Sequence, residues 1–152
     1  VMRSGVLNMI ERQEIIEALN KAFSFKYHSM AGYIEQADPY VAPGREAALE
    51  LVLTIAAEDR VETDRLARRM ESLEGIPQAG SPGLDSASVN YLSIDYLLGV
   101  LMKNLECQMA FYESRRDRFS EPVRSDFDRL AITTWHHIEQ IHMLMEPGKA
   151  DG

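Results

Sequence analysis

Residues 52–66 read VLTIAAEDRVETDRL. Val52, Ile55, Asp59, Glu62 and Leu66 recur at steps of three and four, which places them along one side of an α-helix. Two carboxylates therefore occupy consecutive positions of a stripe that is otherwise apolar and continues to Leu73. An acidic i,i+3 pair usually belongs to a solvated face. Here the apolar residues on both sides draw it toward the interior.

Working outward, Pro43-Gly44 opens this helix and Glu74-Gly75 closes it, matching the preference for Pro near a first turn and Gly after a last one. Upstream, a helical pattern runs from Asn8 to Ala37 and stops before Asp38-Pro39. Its stripe is Ile15, Leu19, Phe23, Lys26, Met30, Tyr33 and Ala37, with a lysine in the middle. Downstream, Gly75-Ile76-Pro77-Gln78-Ala79-Gly80-Ser81-Pro82-Gly83 reads as loop. A third helix starts between Ser86 and Ser93, with Ser93 favoured as its cap and Asp95 in the first turn, and ends near Phe119. Ser120 is expected to cap a fourth helix, which carries Pro122 in its first turn and runs to Met145. Few strand signals compete. The expected fold class is all-α: a four-helix bundle of two helical hairpins joined by a crossover of roughly ten to eighteen residues, filling one domain over residues 1–152.

The third helix places Glu106 with Leu98, Met102, Met109 and Ala110. The fourth can present Ile132, Trp135, His136, Glu139, His142 and Met143 on one face. Residues equidistant from a hairpin turn face each other. The midpoint of Lys26 and Asp59 is 42.5 and that of Glu106 and Glu139 is 122.5, each at a turn, and both pairs are 33 residues apart. A shift of 80 maps Lys26, Asp59 and Glu62 onto Glu106, Glu139 and His142. All would lie about 16 residues, or roughly 24 Å, from the turns.

Four carboxylates meeting in one interior need neutralising, since each unpaired buried charge costs several kcal/mol against a total stability of about 5–15 kcal/mol. Two divalent ions with oxygen and imidazole ligands, iron or manganese, would do so. Lys26, a protonated His142 and shared carboxyl protons are the metal-free alternative.

This pattern resembles the ferritin-like superfamily of di-metal carboxylate proteins, and within it the bacterioferritins, over about Leu19 to Glu146. Each hairpin of that family supplies a Glu from one helix and a Glu-x-x-His from the next. Glu106 and Glu139-Gln140-Ile141-His142 match it. Leu19-Asn20-Lys21, Asp64-Arg65 and Leu73-Glu74-Gly75-Ile76-Pro77 are similar too, and Tyr33 matches a tyrosine near the family's metals. Lys26 departs from the pattern by standing where a Glu would be. Asp59-Arg60-Val61-Glu62 replaces the other Glu-x-x-His, and Arg60 stands at the haem-ligating Met.

The resemblance implies one or two ions of iron or manganese per chain, reacting with oxygen or peroxide in a ferroxidase-like way. Glu62, Glu106, Glu139 and His142 would be ligands, with Asp59 as a shorter candidate. Lys26, Tyr33 and His136 would surround them. Haem is not expected. The chain stops soon after the fourth helix, so a closed 24-subunit cage is not expected either; a homodimer is. The rival reading is a metal-free ferritin-like dimer in which Lys26 pairs with the core acids and the role is binding or structural.

Composition narrows the rest. The net charge of −8 disfavours nucleic acid and anionic lipid as partners. One Cys excludes a disulfide framework and a Cys-rich cluster. Cys107, next to Glu106, reads as a buried inert thiol. His137 and His28 are expected to point away from the acids. No apolar run suits a membrane span and the first residues do not read as a signal peptide, so a cytoplasmic setting is expected. Gly75-x-x-x-x-Gly80-Ser81 lacks the lysine and the preceding strand of a phosphate loop. Arginines 65, 68, 69, 115, 116 and 118 alternate with acids, as solvated faces do.

Overall fold

The structure is a computed structural model that describes residues 2–81 and 92–145, with side chains from residue 9 onward. Its helices are α1 (Met2–Tyr27), α2 (Met30–Gln36), α3 (Glu46–Ser72), α4 (Ile94–Arg115) and α5 (Val123–Met145). α1 packs on α3 and α4 on α5, so two hairpins form one all-α bundle. No described helix is long and apolar enough to cross a membrane.

The first expected helix is broken at His28-Ser29 into α1 and α2. Ser29 explains the break. Its hydroxyl accepts from the Gly32 N–H at 3.0 Å, capping α2, and donates to Asp59 Oδ2 at 2.6 Å. The chain thus interrupts its helix to reach a carboxylate on α3. Ser93 caps α4 as expected, its hydroxyl accepting from the Tyr96 N–H at 3.2 Å. α5 starts at Val123, after Pro122 instead of around it.

The chain leaves α3 at Leu73 and runs along α1, tied to it at Arg12, Asn20 and Ser24 and, just past its end, at His28. Arg12 Nε donates to Leu73 O at 2.8 Å, Gln78 N–H donates to Asn20 Oδ1 at 2.7 Å, and Ser24 Oγ donates to Ala79 O at 2.5 Å. His28 Nε2 meets Gly80 O at 3.0 Å. Between the first two ties, Gly75 comes so close to Ile16 that an added Cβ would lie 3.1 Å from its side chain. Ser86, the other candidate start for α4, lies outside the described residues. Of the connection between α3 and α4, residues 73–81 and 92–93 are described.

The apolar core is two clusters. One gathers Met30, Ile34, Val52, Ile55, Leu101, Leu105 and Ile141; the other gathers Leu19, Phe23, Leu66, Met70, Tyr112, Phe127 and Leu130. On every long helix a polar side chain stands where the chain passes from one cluster to the other. Lys26 lies between Phe23 and Met30, and Asp59 between Ile55 and Leu66. Gln108 lies between Leu105 and Tyr112, and Thr134 and His137 between Leu130 and Ile141. All five are buried. The bundle is built as two apolar halves with a polar layer between them.

A second ionic group braces the lower half. Asp126, 4% exposed, accepts from Arg69 Nε at 2.6 Å and Arg129 Nη1 at 3.0 Å. Asp126→Asn removes a charge held between two guanidinium groups. It is expected to cost roughly 2 kcal/mol, discounted because both arginines are partly solvated. Urea denaturation checks this, and an unchanged midpoint would contradict it.

Candidate functional site

The polar layer centres on Lys26. Its Nζ donates to Gln108 Oε1 at 2.9 Å and lies 3.4 Å from Asp59 Oδ1, with both charged side chains at most 5% exposed. Tyr112 Oη also donates to Gln108 Oε1, at 2.9 Å. Two donors on one oxygen fix the orientation of the Gln108 amide, and its Nε2 then donates to Asn104 Oδ1 at 2.7 Å. Asp59 is satisfied by the ammonium on one oxygen and by the Ser29 hydroxyl on the other. Burial alone would push Lys26 down. The fields of Tyr112 and Asp59, the hydrogen bond to Asp59 and the field of Glu62 outweigh it and hold the ammonium above the ordinary lysine value. Burial raises the Tyr112 phenol to about 12, against the pull of Lys26.

Glu62, expected beside Asp59, is largely buried and pairs with Arg129, with Oε1 2.7 Å from Nη2 and 2.8 Å from Nε. Next to it His137 Nε2 meets Glu58 Oε2 at 2.5 Å. His137 Nδ1 and Thr134 Oγ1 are buried with no hydrogen-bond partner. A cavity of about 370 Å³ between α3 and α5 opens onto Lys26, Glu58, Asp59, Glu62, Arg129 and His137.

The expected convergence of acids from the second hairpin does not form. Glu106, Glu139 and His142 are exposed, and so are Cys107 and His136. Glu139 and His142 share a shallow hollow on the outer face of α5 with His136. Tyr33 is half-buried, and its hydroxyl lies 3.2 Å from His28 Nδ1. The reason lies in α5, which carries two plausible stripes. The one through Ile132, Trp135, Glu139 and Met143 faces out; Ile132 and Trp135 are each 48% exposed. The other, Phe127, Leu130, Ala131, Thr134, His137 and Ile141, faces in. Tyr112 packs on Phe127 with centroids 6.5 Å apart, centring the second hairpin between residues 119 and 120, earlier than expected. That register brings Gln108 inward in place of Glu106, and Thr134 and His137 in place of Glu139 and His142.

Sequence reasoning missed Gln108, Thr134, His137 and Glu58. A signal for the first three existed: each interrupts an aliphatic and aromatic stripe at helical spacing, as Lys26 and Asp59 do.

No family model matches the chain, and no curated protein matches it. Two solved structures do share its architecture. A ferritin-like, diiron-carboxylate protein from Bacillus anthracis str. Ames superposes with a TM-score of 0.71 at 15% identity, over 90% of this chain and 98% of that one. The dodecameric thioferritin of Bacteroides fragilis, described as bacterioferritin-related, superposes with a TM-score of 0.73 at 16% identity, over 99% of this chain and 96% of that one. The fold is ferritin-like. Identities this low speak to the ferritin-like scaffold alone.

The polar layer of this ferritin-like bundle does not fit a pair of divalent ions. An ammonium, an amide and a hydroxyl stand at Lys26, Gln108 and Thr134. Lys26 has three donors and no acceptor, so it cannot ligate, and it already neutralises Asp59. Among the described residues no group of three His, Cys, Asp or Glu side chains is placed to hold a metal ion.

Proposed function

We propose that this chain is a metal-free ferritin-like protein in which Lys26 supplies the positive charge of the bundle centre, and that its role is binding or structural, exercised as a homodimer. One observation carries this reading: the buried Lys26 ammonium lies between Asp59 and Gln108 at 3.4 and 2.9 Å. The ion pair fixes α1 against α3, and the hydrogen bond to Gln108 ties that hairpin to α4, without any ion from solution. Register specification is a well-attested use of buried polar contacts.

A second reading keeps iron or manganese, with oxygen or peroxide as reactant. It is favoured by Glu58, Glu62 and His137 lining one cavity, a donor set of two carboxylates and an imidazole. Glu62 would have to leave Arg129. The likeness to a diiron-carboxylate protein supports it through the scaffold only.

Anaerobic calorimetric titration with Fe(II) and with Mn(II) separates the two. The first reading expects no saturable uptake at micromolar metal. Saturable uptake that is lost in His137→Gln would overturn it in favour of the second. Light scattering of the eluted protein checks the dimer.

A further inference from the structure

A groove of about 580 Å³, apart from the α3–α5 cavity, lies between α1 and α4. Its walls carry Phe25, Met30 and Val100, and its polar groups include Lys21, Lys103 and Asn104. No Asp or Glu is among the described residues that line it. In a chain of net charge −8 this is a local reversal of sign. Most arginines of the molecule are ion-paired, yet neither Lys21 nor Lys103 forms an ion pair among the described residues. Lys21 Nζ instead sits 4.8 Å from the centroid of the Phe111 ring.

The orientation of Asn104 follows from the core. Lys26 and Tyr112 both donate to Gln108 Oε1, which leaves Gln108 Nε2 as the donor to Asn104 Oδ1. With its oxygen already accepting from Gln108, Asn104 offers its NH₂ group as a free donor for a ligand. The ammonium at the centre thereby sets a neutral donor at a groove wall that also carries Lys21 and Lys103.

We propose that this groove binds a small organic anion with a flat apolar body, such as an aromatic carboxylate or sulfonate. Its charged group would be held by Asn104 Nδ2, Lys21 and Lys103, and its body would lie against Phe25, Met30 and Val100. Cationic and NH donors recognise the charge, the apolar wall supplies buried area, and the size suits a pocket for a small molecule. The proposal names the ligand class for the binding role above and rests on the same Lys26–Gln108 contact.

The test uses the full chain and the aromatic sulfonate 1-anilinonaphthalene-8-sulfonate, followed by fluorescence at low salt, with neutral N-phenyl-1-naphthylamine as comparison. Asn104→Asp keeps an oxygen for Gln108 Nε2 and turns the groove-facing donor into a charged acceptor. It should weaken the sulfonate by about tenfold or more and leave the neutral probe unchanged. Lys21→Gln with Lys103→Gln should also weaken the sulfonate while circular dichroism stays native. No saturable sulfonate binding to the wild type overturns the proposal. So does equal sulfonate affinity in the variants, or parallel loss of both probes. Metal titration does not enter this readout, so failure here is distinct from failure of the metal-free reading.

Discussion

Lys26→Glu should lower the unfolding temperature by about 10 °C or more. The substitution removes the cation that faces Asp59 at 3.4 Å and puts a second carboxylate beside it, in a layer where both native side chains are at most 5% exposed. Breaking a buried pair costs about 3–5 kcal/mol, because the survivor is left charged and dry. For a chain of this length each kcal/mol moves the midpoint by roughly 2–4 °C. Lys26→Met combined with Asp59→Leu deletes both charges and should recover most of the loss, since apolar replacement of a buried pair is often neutral or better. Thermal unfolding followed by circular dichroism decides. The ion-pair account fails if Lys26→Glu melts like the wild type. It also fails if Mn(II) stabilises native protein and variant alike, which would mean that metal and not lysine balances the layer.

Alkaline pH offers the second large effect. Lys26 is held above its ordinary value of 10.5, and Tyr112 is raised from 10.0 to about 12. Each group therefore binds its proton more tightly in the folded chain than in the unfolded one. The stability they confer is complete below about pH 10. It falls as pH rises through the folded values, because the unfolded chain releases those protons first. Over the two units available to Tyr112 the decline amounts to about 3 kcal/mol, with Lys26 adding to it as it loses its charge and leaves Asp59 unpaired. Denaturant titrations from pH 9 upward should show stability dropping beyond pH 10, and Tyr112→Phe should flatten the early part of that drop. Stability that stays level to pH 11.5 would rule the mechanism out.

The two experiments probe one arrangement from different sides. Lys26→Glu asks whether the charge is needed; the alkaline limb asks whether the proton that carries it is. Both report on the contact that sets Gln108 and, through it, Asn104. The central pair is thus tied to the donor pattern of the α1–α4 groove.

Much of the first hairpin was legible in the residues. Lys26 and Asp59 each interrupt a stripe that has only one apolar reading, so their meeting followed from spacing. The break at Ser29 did not, because a serine inside a helical pattern gives no sign that a carboxylate waits across the hairpin. Glu62 shared the stripe but pairs with Arg129, a partner 67 positions away. In the second hairpin, α5 offers two faces of similar apolar content, and a Glu-x-x-His on one of them attracted the reading. Helical periodicity cannot rank two such faces. The aromatic cluster of Tyr112, Phe119 and Phe127 does, because those rings pack only when the inner stripe faces them.

The amino-acid sequence alone was enough to specify four long helical stretches, their pairing into two hairpins, and a polar interruption at mid-height, because periodicity and turn residues act locally. Which side chains enter that interruption on α4 and α5 was decided only by packing. Rotating a helix by one face changes no local preference, but it exchanges a carboxylate for an amide in the centre of the molecule. That exchange sets which polar groups of α4 and α5 face Lys26 and Asp59.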